Sequence, residues 1–307
     1  MNLDLVHDAL TELQQLRDSL AIAYVVDRIS EVDAYVLYEC LRETGPVERL
    51  DVVLWATGGS VDAARGIALL LHEYCTELRI LVPDNAQSAG TLLCLSAHAL
   101  TVGPLARFGP IDPHLTAGAR TDGGPGLISA EDVRVLPELA QAWFGVDATT
   151  AAAQSLAMVS QRLFPSSLGA FFRADRNIRR IARELVAIQL PHLDEQHHTR
   201  LVDQLVSGYD SHGYVITRAD AAQLGLNVRF ASAREEQLMW QCTEPLRRWY
   251  LRSAPETDLP RGVVASGAGF RAQHVEADGS PANPAPIGGW QVERRSLAHA
   301  LPVGVSC

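Results

Sequence analysis

Two consecutive β-turn-α units, about 30 residues apart, limit what this chain can fold into. In the first, Leu50 to Trp55 is a β-rich run and Ala56-Thr57-Gly58-Gly59-Ser60 follows it. Val61, Ala64, Ile67, Ala68 and Leu71 then recur at helical spacing. In the second, the apolar run Leu78 to Val82 stops at Pro83, and Asp84-Asn85-Ala86-Gln87 makes a polar turn. Small or apolar residues continue from Ala89 to about Ala99 as a buried helix. Units of this kind pack side by side in a parallel sheet and bind ligands at the carboxyl ends of its strands. Ser88 then sits where a strand turns into a helix. Gly58 and Gly59 let the backbone approach a ligand and aim N–H groups at it. Facing one crevice, they set an oxyanion pocket beside a hydroxyl, the geometry acyl transfer needs. The pattern Ala86-x-Ser88-x-Gly90 lacks the first glycine of the G-x-S-x-G elbow. Taken alone, it reads equally as a serine capping a helix.

The flanking chain extends this α/β plan. Leu3, Val6, Leu10, Leu13 and Leu20 give residues 1–20 an amphipathic helical pattern. Ala21 to Val26 reads as the first strand, and Ser30 to Arg42 as a helix with Ser30 and Asp33 in a capping box. Leu100 to Val102 is a short strand. Gly109-Pro110 and Asp112-Pro113 stiffen the loop after it, because proline fixes its backbone angle. Residues 116–130 are Gly-rich and read as a loop, lid or contact surface, and 131–189 read as helices. Thr217 to Leu226 is a capped helix closing on Gly225, and 231–250 is another. From 251 to 307 the chain turns rich in Pro, Gly and Ser and loses periodicity, which predicts an irregular extension. The expected organisation is therefore an N-terminal helix over 1–20, a hydrolase domain over 21–250 and a Pro/Gly-rich extension over 251–307.

Composition removes several function classes. The net charge is −10, which argues against nucleic acid or an anionic membrane surface as partner. All 26 basic residues are Arg, so a serine-lysine dyad cannot be built within this chain. The five cysteines form no C-x-x-C, and neither a disulfide framework nor a zinc site is expected from them. Cys94 reads as core. Apolar runs fall short of the roughly 20 residues that span a bilayer, and no signal peptide is visible. A cytoplasmic protein without a membrane segment is expected. His192, His197 and His198 lie near Asp194 and Glu195. Acids in the first turn after Pro191 explain that cluster without a metal, and no cofactor is expected.

A serine nucleophile needs a base and the base needs an orienting carboxylate. Without lysine the base is a histidine. His98 lies ten residues past Ser88 on the expected helix, about 15 Å along at 1.5 Å per residue, which is too far. His114, His212 and the 192–198 group remain, and spacing does not choose among them.

Taken together, TGGSVDAARGIA, QSAGTLLCLSA, GPIDPHL and SHGYVITRADAAQLGL (211–226) resemble the serine dehydrogenase proteinase family, relatives of the Clp protease and of signal peptide peptidase A. The resemblance covers roughly residues 20 to 230. It implies a Clp protease/crotonase-like α/β fold and a serine peptidase that acts on peptide or protein substrates. In Clp-type proteases the base lies in the loop that here reads GPIDPHL, where this chain has Asp112. The acid lies just before the unit that here reads YVITRADAAQLGL, where this chain has His212. The resembled family is described by that exchange. It implies Ser88 as nucleophile, His212 as general base and acid, and Asp112 as the orienting carboxylate. Gly59 and Ala89 are the implied oxyanion donors, with Gly58 shaping the turn. The family usually has an acidic pair where this chain has His98-Ala99, a departure outside the triad. Homo-oligomerisation is also implied, while delivery of substrate by an ATPase is left open. A crotonase-like acyl-CoA enzyme and a non-catalytic oligomeric scaffold are the competing readings.

Overall fold

A computed structural model describes residues 3–119, 125–161, 165–250, 262–274 and 289–294. Chain contacts divide it into two compact units. The first holds residues 1–108, 188–191 and 215–307; the second holds 109–187 and 192–214.

The first unit is built on one eight-stranded mixed sheet. Its strands are β1 (Leu20–Val26), β2 (Val47–Trp55), β3 (Cys75–Val82), β4 (Ala99–Val102), β5 (Val228–Phe230), β6 (Gly262–Ser266), β7 (Phe270–His274) and β8 (Trp290–Arg294). They lie in the order β5-β4-β3-β2-β1-β6-β7-β8. Neighbours from β5 to β1 are parallel, with Tyr24 opposite Leu54 and Val52 opposite Ile80. The last three strands are antiparallel, with Tyr24 opposite Val264 on the other side of β1. The central strands are near-continuous apolar runs because both faces are covered, as parallel sheets require. The parallel part is a Clp/crotonase-like α/β arrangement.

The helices follow the sequence pattern closely. Leu3–Arg17 packs Val6, Leu10 and Leu13 into a core shared with Ala21, Ala23, Trp55 and Met239 of the helix Ala233–Tyr250. Glu31–Thr44 starts at Ser30, whose backbone N–H and hydroxyl both donate to Asp33. Val61–Glu73 is capped by the Ser60 hydroxyl, which accepts from the N–H of Ala63. Arg218–Gln223 is capped by Thr217 and Asp220.

Two expectations change. The helix after Ser88 ends at Cys94 and does not continue to Ala99. Leu95, Ser96 and Ala97 bond back to carbonyls three residues earlier, a tightening that finishes the helix. His98 is then held by Leu78: its N–H donates to the Leu78 carbonyl, and its Nδ1 accepts from the Leu78 N–H. The extension after 250, expected to be irregular, supplies β6, β7 and β8 to the main sheet. Gly262-Val-Val-Ala-Ser266 is fully buried against β1, so tertiary pairing overrides its weak local pattern.

The second unit is mostly helical, with Leu136–Phe144, Ala148–Ser160 and Glu195–Ser207 each complete within it. Leu136–Phe144 stops at Gly145, in the left-handed conformation common at helix ends. Asp194 caps Glu195–Ser207 and binds both the backbone N–H and Nδ1 of His197. That capping role accounts for Asp194 and His197. The Gly-rich stretch contains an antiparallel hairpin, His114–Ala119 against Pro125–Ser129, while residues 120–124 lie outside the described set. Among the described residues no helix is long and apolar enough to cross a membrane.

Candidate active site

Ser88 stands at the turn from β3 into the helix Ala89–Cys94, as the sequence places it. What the sequence does not announce is its backbone. Ser88 has φ +53° and ψ −112°, a conformation L-residues rarely adopt. Ser88 is thus a strained, half-exposed residue on a strand-to-helix turn.

Several contacts hold that strain in place. The Asn85 carbonyl accepts from the N–H of Ala56, and the Ala56 carbonyl accepts from the N–H of Gln87. Asn85 and Ala86 pair with Arg107 and Phe108. The buried hydroxyl of Thr91 donates to the Ala86 carbonyl at 2.7 Å. Asp84 accepts two bonds from Arg107, at 2.7 and 3.1 Å, and one from the Trp55 indole. Gly90 packs on Ala56, so closely that a Cβ there would lie 3.3 Å from the Ala56 methyl. Thr91 and Asp84 escape a motif search because neither carries chemistry. The signal at Thr91 is a polar residue inside an otherwise small or apolar stretch, while Asp84 is hidden among the polar residues of its turn.

The glycine pair lies beside Ser88. A Cβ on Gly58 would meet Ser88 Cβ at 3.5 Å and Oγ at 3.8 Å, so the missing side chain leaves the hydroxyl its room. Gly58 and Gly59 have φ +146° and +137° and pair with Arg28 and Ile29. At Gly59 a Cβ would sit 2.3 Å from the Ile29 carbonyl oxygen, which no side chain tolerates. Ala89 opens the helix, where the first N–H groups have no acceptor within the helix.

Cys94, the other nucleophilic atom on this helix, is fully buried, and burial pushes its thiol far above the ordinary range. His72 and His98 stack edge to face at 5.3 Å. Burial lowers the His72 pKa, and its Nε2 meets the Ser96 carbonyl at 2.8 Å. Both rings are committed to structure.

The second unit brings together the other two implied residues. His212 Nδ1 lies 2.6 Å from Asp112 Oδ1, across 100 positions of chain. The carboxylate is buried and the imidazole is partly exposed. An ionised carboxylate only accepts, so the ring carries its proton on Nδ1 and leaves Nε2 as the acceptor. A third group joins them: His114 Nε2 is 3.0 Å from Asp112 Oδ2, and the two imidazole centroids are 4.0 Å apart. Thus Ser88, Gly58, Gly59 and Ala89 belong to the first compact unit, and Asp112, His114 and His212 to the second.

Residues 23–121 match the family model of ClpP-like SDH-type serine proteinases. That segment is similar to this family. The ClpP-like segment contains Gly58, Gly59, Ser88, Ala89 and Asp112, while His212 lies beyond it. Two uncharacterized proteins of Methanocaldococcus jannaschii are 34% and 29% identical over 83 residues each. Those matches cover 27% of this chain and 29% and 28% of the relatives, so the chain spans under a third of their length. Among solved structures, a serine-to-alanine mutant of the membrane-bound stomatin-specific protease 1510-N is 24% identical. It covers 42% of this chain and 65% of that one at a TM-score of 0.28.

Proposed function

We propose that this chain is a serine peptidase whose nucleophile is Ser88, whose general base and acid is His212 and whose orienting carboxylate is Asp112. The observation that carries the reading is the 2.6 Å contact between His212 and Asp112. It supports an imidazole held in the tautomer whose Nε2 can take a proton. The Ser88 Oγ–H bond breaks as Oγ attacks the substrate carbonyl, and the proton passes to His212 Nε2. Asp112 stabilises the resulting imidazolium. The N–H groups of Gly59 and Ala89 hold the tetrahedral oxyanion, with Gly58 keeping space at the hydroxyl. His212 then returns the proton to the leaving amine, and water releases the acyl group from Ser88 by the same steps.

The decisive experiment compares wild type, Ser88→Ala, His212→Ala and Asp112→Asn for peptide hydrolysis and fluorophosphonate labelling. Ser88→Ala is expected to lose labelling outright. Asp112→Asn is expected to lower turnover by about 10⁴, because the imidazole loses its tautomer. Double variants should cost little more than single ones. Equal labelling of wild type and Ser88→Ala would overturn the assignment.

The active form is read as a homo-oligomer acting on peptide or protein substrates. Trp143, Phe144, Leu156 and Met158 support this, since single-chain proteins seldom leave several large apolar side chains this exposed. Light scattering on the purified chain is expected to give a mass of several protomers.

A further inference from the structure

We propose that Asp112, His114 and His212 form a binding site for a divalent transition metal ion, with Zn²⁺ as the type case, and that occupancy silences the peptidase. The silencing rests on the catalytic reading above; the binding does not.

Hydrolysis as described uses one imidazole on Asp112, yet the carboxylate holds two. His212 Nδ1 approaches one oxygen at 2.6 Å and His114 Nε2 the other at 3.0 Å. One ligand atom from each of the three residues lies within 4.8 Å of the other two. The local sequence explains the second ring. Pro113 biases Asp112 toward extended backbone, and in an extended chain residues two apart point to the same side. His114 therefore returns to the side of Asp112, while His212 arrives from a different loop.

Two imidazoles and one carboxylate suit Zn²⁺, with a fourth position left for water. Zn–N and Zn–O bonds of about 2.0–2.2 Å imply donor separations near 3.4 Å in a tetrahedron. The existing separations thus need only small side-chain adjustments. The carboxylate is buried, at 8% side-chain exposure, while the rings are 28% and 39% exposed. An ion can therefore arrive from solvent and meet a buried carboxylate behind two imidazole rings.

The chemical consequence follows from the tautomer. A metal on His212 Nδ1 occupies the lone pair there, and the proton that Nδ1 carried moves to Nε2. The ring keeps the same number of protons, but Nε2 becomes a donor. It can no longer accept the Ser88 proton, and Asp112 is occupied by the ion. Binding and base catalysis exclude each other at the same ring.

The test uses the full chain, stripped with a chelator and dialysed into metal-free buffer. Zn²⁺ is titrated by calorimetry and Co²⁺ by visible absorption. In parallel, fluorophosphonate labelling of Ser88 is followed as Zn²⁺ rises. Wild type is expected to lose labelling with a midpoint matching the calorimetric Kd, and a chelator should restore it. His114→Ala should weaken Zn²⁺ binding at least tenfold and shift the labelling midpoint by the same factor. His114→Gln serves in its place if the alanine variant fails to fold. Equal Zn²⁺ affinity in wild type and the His114 variants, or Zn²⁺ bound without loss of labelling, would overturn the proposal. If the metal-free protein does not label at Ser88, the peptidase reading fails. The metal site is then decided by calorimetry: His114-dependent binding upholds it and independence removes it.

Discussion

At the scale of single residues, Ser88 holds a backbone angle that glycine adopts without cost. Such strain in a non-glycine residue costs about 1–3 kcal/mol. Replacing Ser88 with glycine releases it but adds about 0.5–1 kcal/mol of chain entropy lost on folding. Ser88→Gly is therefore expected to melt about 2–4 °C higher than wild type while losing all labelling. A thermal melt read by circular dichroism checks this, and a lower melting temperature would show that the turn stores no strain. The position of Ser88 was legible because strand, turn and helix signals are local. Its positive φ was not, since serine gives no hint of it and the cause is the packing of Ala56, Ala86 and Gly90 around the turn. The Asp112–His212 pair was legible through family resemblance alone. Nothing in spacing separates His212 from His114, and the structure sets both rings on one carboxylate.

At the scale of elements, buried charge ties the N-terminal helix, the sheet and the helix Ala233–Tyr250 together. Asp51 on β2 is fully buried and accepts from Arg17 at 2.5 Å, Arg79 at 2.7 Å and Ser19 at 2.7 Å. Arg17 also pairs with Glu235, as does Arg229. Burial alone would raise the Glu235 pKa. Hydrogen bonds from Arg229, Ser232 and Arg17 outweigh it and hold the carboxyl well below the ordinary value of 4.5. A depressed folded-state pKa contributes stability above the unfolded value and loses it as pH falls toward the folded one. Glu235→Gln should therefore be less stable than wild type at pH 7, and the gap should narrow below pH 4.5. Urea midpoints measured from pH 7 to pH 3 test this, and a constant gap would exclude the ion pairs as its source. In the sequence Asp51 is a single acid inside LDVVLW, and a lone charge in an apolar run says nothing of three distant donors. The helix starts at Ser30, Ser60 and Thr217 were read well because each caps through atoms within three residues; the helix expected from Pro191 starts instead at Glu195, with Asp194 as its cap and not in its first turn. The end of the helix after Ser88 was misread because Leu78, twenty positions back, decides it.

At the scale of the molecule, β6 completes the sheet beside β1. A chain ending at residue 250 leaves Tyr24, Val25 and their neighbours as an unpaired apolar edge. That truncation is expected to elute as aggregate and to lack a cooperative melt. A monodisperse, cooperatively unfolding product would show that β6, β7 and β8 are dispensable. The parallel order β4-β3-β2-β1 was readable because each strand follows its neighbour through one helix. The pairing of β6 with β1 was not, since register between segments about 240 residues apart leaves no periodic trace.

That pairing also sets a timetable for synthesis. The second partner of β1 is made about 240 residues after it, on the order of ten to fifty seconds at ribosomal speeds of about 5–20 residues per second. Through that interval the nascent polypeptide carries a half-paired apolar ribbon, which makes it a client for chaperones that shield such edges until β6 has been made.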